Sequence, residues 1–172
     1  MNRIATMTLF VAVFGVAALK AQDNPFSADA KGAYTSIKNI LLKAADKMPE
    51  ENYSFKTVPA VRTYGEMIAH VADAQMGICG AANGEQKKGT AAGKTSKADL
   101  TAALKASFDY CDGVYNSMTD SAGAAKVKMF GREMTKIGIL NFNTMHDNEM
   151  YGTMVAYLRI KGIVPPSSEG RP

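Results

Sequence analysis

Four stretches of about 20 residues repeat their apolar side chains at three- and four-residue intervals, and no run of alternating β-branched residues lies between them. Such a chain can hide its apolar surface only by packing helical stripes against one another, so the predicted fold class is all-α, a four-helix bundle. The first helix is expected from a cap at Ser27 or Asp29, with Ala33, Ile37, Ile40, Leu41, Ala44 and Met48 on its buried stripe and Pro49 as its stop. Residues 50–60 read as an irregular connection. The second helix is expected over 61–82, through Met67, Ile68, Val71, Ala74, Gln75 and Ile78. Residues 81–95 hold Gly84, Gly89 and Gly93 among small and polar side chains, a long loop by composition. Ser96 followed by Asp99 reads as a capping box for the third helix, which carries Leu100, Leu104, Phe108, Cys111, Val114, Tyr115 and Met118. A second connection covers 126–132, broken at Gly131. The fourth helix runs over about 135–161, and Gly162 with Pro165-Pro166 stops it.

With 172 residues and 47% apolar composition, one domain with a sizeable core is expected, over 22–166, followed by a mobile tail at 167–172. Residues 1–21 read differently. Arg3 precedes an apolar run over 4–19 that ends on small residues at Ala21, which is the pattern of a signal peptide. Thr6 and Thr8 interrupt the run, and it falls short of the roughly 20 apolar residues of a membrane span. The chain is therefore expected to be exported, periplasmic or secreted, with no membrane attachment after cleavage. Without Arg3 and Lys20 it keeps 18 basic and 16 acidic side chains, a nearly balanced surface. Lys87, Lys88, Lys94 and Lys97 cluster in the long loop without interleaved aromatic residues, as a solvated loop does and a nucleic-acid surface does not.

Two cysteines remain in the exported product, Cys79 and Cys111, and an oxidising compartment favours their pairing. Counted from the expected helix starts, they lie at equal depth in helices two and three, so they meet only if those helices are parallel. A parallel pair needs a long crossover, and roughly 15 residues can span about 50 Å, enough to return along a helix. The order up, down, down, up is self-consistent with that loop. Two buried free thiols acting as small hydrophobes are the alternative. Neither cysteine has a histidine one helical turn away to activate it.

The chain has two histidines, His70 and His146, each at mid-helix, where bundles build sites from inward-facing side chains. One turn beyond His146 stands Met150, a thioether that suits Cu(I) better than Zn²⁺, Ni²⁺ or Mn²⁺. Glu149 and Asn143 are candidates for second positions around the imidazoles. The segment over 66–72, Glu-Met-Ile-Ala-His-Val-Ala, together with 141–166, resembles the DinB/YfiT-like superfamily across nearly the whole mature chain. The resemblance implies a four-helix bundle of up-down-down-up connectivity, in agreement with the cysteine argument. It also implies a divalent metal held by one histidine of the second helix and a His-x-x-x-His pair of the fourth. His70 and His146 match the first two ligands, and Met150 occupies the third position. Relatives include transferases and isomerases that use low-molecular-weight thiols, which are mainly cytoplasmic, so export argues against that chemistry here. Two functions follow as expectations: a metal-dependent transferase or hydrolase acting outside the cytoplasm, or a non-catalytic bundle binding a small ligand or a protein partner in the former metal cleft. A homodimer through exposed helix faces is compatible with either.

Overall fold

Residues 23–170 are described by a computed structural model, and the leader expected over 1–21 lies outside them. Helix α1 (Pro25–Lys47) begins ahead of the expected caps at Ser27 and Asp29. Pro25 fits its first turn, where a fixed φ is already helical and a missing N–H costs nothing. The next two amides are satisfied from far along the chain. Phe26 and Ser27 donate to the Asp120 carboxylate at 3.2 and 2.8 Å, and the Asp120 amide donates in turn to Asn24 Oδ1 at 2.9 Å.

A 3₁₀ turn at Glu50–Asn52 leads toward α2 (Tyr64–Asn83). This helix starts later than the apolar pattern suggests because Thr63 and Glu66 form a reciprocal capping box. Thr63 Oγ1 accepts from the Glu66 amide at 3.1 Å, and the Thr63 amide donates to Glu66 Oε2 at 2.7 Å. Helix α3 (Lys97–Ser117) is capped at Ser96, as its sequence indicates, but the box is half formed. Ser96 Oγ accepts from the Asp99 amide at 3.1 Å and gives its own proton to the Asp99 carboxylate at 2.8 Å.

After the short α4 (Asp120–Gly123), the segment expected as a connection over 126–132 is part of a β-hairpin. Strands β1 (Lys126–Met129) and β2 (Arg132–Thr135) pair antiparallel, with Lys126 opposite Thr135 and Met129 opposite Arg132. Phe130 and Gly131 form the turn, with φ of 52° and 76°, the left-handed pair that matches the twist of a two-residue hairpin. Helix α5 (Lys136–Ile160) follows at once, capped by Thr135 Oγ1, which accepts from the Gly138 amide.

Side-chain pairings set the direction of each helix. Lys38 pairs with Asp112, and Lys97 Nζ donates to Asp46 O, so α1 and α3 run in opposite directions. Gly65 packs on Leu100 and Cys79 is bonded to Cys111, so α2 and α3 run in the same direction. His146 meets His70, and Tyr157 donates to Arg62 O, so α5 opposes α2. The four long helices therefore run up, down, down and up. Their shared core contains Leu41, Ile68, Leu100, Leu104, Phe108, Ile139, Leu140, Met154 and Leu158, each fully or almost fully buried, and each contributes about 1.5–3 kcal/mol when removed from water. Among the described residues no helix is long and apolar enough to cross a membrane.

The parallel α2 and α3 are joined by the crossover at 84–96, and this loop is held firmly against α2. Gly84 leaves the helix with φ of 81°. Asp73, on α2, accepts from the Ala91 and Ala92 amides at 2.8 and 2.9 Å. Gly89 lies so close to α2 that an added Cβ would fall 2.4 Å from the Asp73 Cα. The disulfide Cys79–Cys111, with Cα atoms 5.5 Å apart, ties the two helices near their far ends.

The C-terminal segment, expected to be mobile from 167 onward, is tied down within the described residues. A 3₁₀ turn at Pro166–Ser168 lets Tyr151 Oη donate to Ser167 Oγ at 2.8 Å and accept from the Ser167 amide at 2.9 Å. Lys47 pairs with Glu169 at 2.6 Å.

Candidate functional site

Because α2 and α5 are antiparallel, their midpoints bring the two histidines together. His70 Nε2 lies 3.0 Å from His146 Nε2, with the ring planes 64° apart. One ring donates and the other accepts, a direct imidazole hydrogen bond. Both rings are half-buried, and the His70 pKa is lowered by burial, then by the positive field of Arg62 and by His146. His70 is therefore neutral at pH 7.

Behind the pair lies a buried polar layer. Asp147 is fully buried on α5, and Gln75 Nε2 donates to its Oδ2 at 3.1 Å. Asn143, one turn earlier on the same face, donates from Nδ2 to Gln75 Oε1 at 2.7 Å. Tyr115 Oη donates to Leu140 O at 2.6 Å and closes the layer toward α3. Gln75 also sits against the disulfide, its Oε1 3.0 Å from Cys111 Sγ. Three buried atoms in this region have no hydrogen-bond partner: Asn143 Oδ1, Asp147 Oδ1 and His146 Nδ1. The last two are 3.9 Å apart, too far for a hydrogen bond but close enough for electrostatic attraction. Burial pushes the Asp147 carboxyl up to about 6, and the nearby His146 offsets part of that rise.

On its open side His70 lines a cleft of about 1010 Å³. Met67, Ala69 and Met150 contribute apolar surface to it, and Thr153 and Tyr157 line it from α5. Ala92, Gly93, Lys94 and Thr95 form a rim from the crossover, and Lys56 and Arg62 stand on the connection before α2. The anchoring of 91–92 by Asp73 is what places that rim.

The structure brings together His70 and His146, and puts Met150 in the cleft beside His70. It does not bring Glu149 to the pair. Glu149 is exposed, because three residues beyond His146 turns it off the buried stripe of α5. Asn143 is buried but bonds Gln75 and Tyr115, not an imidazole. The residues that lie behind the pair, Asp147 and Gln75, were not singled out by spacing from the histidines. A signal for them exists: Asn143 and Asp147 fall on the stripe that also carries Ile139, Leu140, Tyr151 and Met154. Polar side chains at core positions of a helix need a built partner, and here that partner is Gln75.

A divalent ion can be tested against this donor set. Two nitrogens bound at a right angle to one ion at about 2.1 Å lie about 3.0 Å apart, so the imidazole pair fits two neighbouring ligand positions. No third hard donor joins them. Asp73 is committed to the crossover amides, Glu66 to the α2 cap, and the remaining position is a thioether. Among the described residues no three His, Cys, Asp or Glu side chains form a group that could hold a metal ion. The residues present do not complete a site for Zn²⁺, Ni²⁺ or Mn²⁺.

Residues 33–154 match the DinB superfamily. Among solved structures, the chain is similar to a DinB-like protein from Bacillus cereus at 20% identity and a TM-score of 0.70, covering 81% of this chain and 95% of that one. A DinB-like protein from Bacillus subtilis aligns at 18% identity and a TM-score of 0.65, covering 78% and 92%. A mutant of the mycothiol-dependent maleylpyruvate isomerase aligns at 12% identity and a TM-score of 0.58, covering 77% and 65%. No curated protein matches the sequence. At these identities the solved structures speak for the fold alone, and that fold agrees with the sequence match over most of the chain, so the protein belongs to the DinB superfamily.

Proposed function

We propose that this chain is an exported DinB-superfamily protein that binds a small molecule in the cleft over His70, and that its histidine pair serves as a hydrogen-bonded couple in the cleft wall in place of a divalent-metal centre. The observation that carries this reading is the direct 3.0 Å contact between the two Nε2 atoms, with a thioether at the third position of the family's ligand set. Each imidazole nitrogen that would face an ion already has the other as its partner. With Nε2 committed, His70 has Nδ1 left for a polar atom of a bound molecule. Export is supported by the apolar leader, by the buried disulfide and by the lack of a membrane-crossing helix among the described residues.

One observation favours a second reading, a metal-dependent transferase or hydrolase. The Nε2 spacing equals that of adjacent ligands on one ion, so the pair is preorganised if another donor arrives with the substrate. The two readings separate on Met150→His, titrated with Zn²⁺, Ni²⁺ and Mn²⁺ by calorimetry beside the wild type. On the binding-protein reading the wild type takes up none of these ions at micromolar concentrations and the variant gains stoichiometric binding. Equal, tight binding by both would show that the thioether is no obstacle and would favour the enzyme.

A further inference from the structure

The charges around the cleft are not balanced. Three cations line it, Lys56 and Arg62 from the connection before α2 and Lys94 from the crossover, against two carboxylates, Glu66 and Asp73. Both carboxylates keep their charge while accepting backbone hydrogen bonds, and the hydrogen bonds of Thr63, with help from Lys56 and Arg62, hold the Glu66 carboxyl below its ordinary value, so the lining carries an excess of one cation. Glu66 Oε2 accepts from the Thr63 amide at 2.7 Å, and the two oxygens of Asp73 accept from Ala91 and Ala92. Among the described residues no carboxylate forms an ion pair with Lys56, Arg62 or Lys94. Lys56 Nζ donates to Pro59 O at 3.2 Å and Lys97 to Asp46 O at 2.6 Å, contacts with neutral carbonyls, while Lys87 pairs with Glu85 at 3.1 Å. Lys56, Arg62 and Lys94 line the cleft without an ion pair, whereas Lys88 of the crossover lines a smaller cavity on the other side of Asp73.

Resting on the reading of this cleft as a ligand site, we infer that it takes a small organic anion, whose carboxylate or phosphate lies among Lys56, Arg62 and Lys94 and whose apolar part lies on Met67 and Met150. Two features make the arrangement more than a basic surface. The cations come from two separate segments, and both segments are positioned by backbone hydrogen bonds, the Thr63 cap on one side and the Asp73 anchor on the other. The floor between them carries Met150 and the edge of Met67 beside His70 and Thr153, so a simple inorganic anion would leave most of the cleft unfilled. An uncharged molecule of the same shape would leave the three cations facing only the two carboxylates of the lining.

The test uses the mature chain and three matched probes of one aromatic framework, phenylpropionate, phenethyl phosphate and phenylpropionamide, with binding followed by ligand-observed NMR at low and high salt. Binding of either anion at least about tenfold tighter than the amide is expected, weakened by salt, and the stronger of the two anions identifies carboxylate or phosphate as the headgroup. Arg62→Gln and Lys94→Gln, both at exposed positions, should each weaken the anion about fivefold, and Lys105→Gln, a surface lysine paired with Asp109 away from the cleft, should not. If the amide binds as well as the anions and Thr153→Trp, at an exposed position of the lining, abolishes all three, the cleft is a ligand site and the anion inference is overturned. If no probe binds and a broad set of neutral, cationic and anionic compounds also fails, the ligand-site reading falls with it.

Discussion

Replacing Asp147 by asparagine should make the protein more stable at neutral pH, and the gain should vanish in acid. Asp147 is fully buried, has one hydrogen bond from Gln75 and none at Oδ1, and faces no cation within hydrogen-bond distance among the described residues. Its carboxyl is raised from 3.8 to about 6. When the folded pKa lies above the unfolded one, the folded state holds the proton more tightly, so stability is lost as pH rises. Well below pH 4 both states are protonated and the carboxyl imposes no charge penalty. Between about pH 4 and 6 the penalty grows, and above that it is constant at about 3 kcal/mol, from roughly two units at 1.36 kcal/mol each. Asparagine has the same shape and no charge, and it can still accept from Gln75. Urea and thermal unfolding of the mature wild type and Asp147→Asn from about pH 3 to 8 should show curves that converge at the acid end and separate by roughly 6–12 °C at pH 8, with the variant more stable. A variant equally or less stable at pH 8, or a gap that ignores pH, is the contrary result. It would mean that a cation sits against the buried carboxylate.

Two other perturbations report on the parts that position the cleft. Changing Cys79 and Cys111 together to alanine should cost about 2–4 kcal/mol in urea unfolding, because the bond restrains α2 and α3 across a 32-residue separation; a loss under 1 kcal/mol would show that the unfolded chain is compact without it. Gly89→Ala should cost about 1–3 kcal/mol and speed hydrogen exchange at the Ala91 and Ala92 amides, since a Cβ there overlaps Asp73 and must lift the crossover; unchanged exchange would mean the loop has another anchor.

The bundle was legible because helix burial is periodic: the apolar residues read onto the stripes of the first three helices lie in the core or pack against it, except Ala33, which is exposed. The direction of α3 was legible for a second reason, since two cysteines at equal depth leave few ways to meet. What escaped the sequence depends on partners far apart in it. The cap of α1 comes from Asp120, and no local pattern around Pro25 announces it. The hairpin is four residues per strand, too short for an alternation to register, and its turn needs Phe130 in a left-handed conformation that phenylalanine seldom adopts. At the site, the histidines stood out by residue type, whereas Asp147 drew no notice because a carboxylate on a helix is ordinarily solvated. Its place on the core stripe of α5 is the evidence that it is not, and Gln75 on α2 completes an interaction that no spacing within one helix encodes.

In the proposed reading the imidazoles bond each other and do not hold a divalent ion. Elemental analysis of the mature protein, isolated from an exporting host without chelators, tests it most directly. Zinc, nickel, manganese and copper each well below one ion per chain, unchanged in His70→Ala and His146→Ala, is the expected result. Close to one ion per chain in the wild type, lost in both variants, would contradict it.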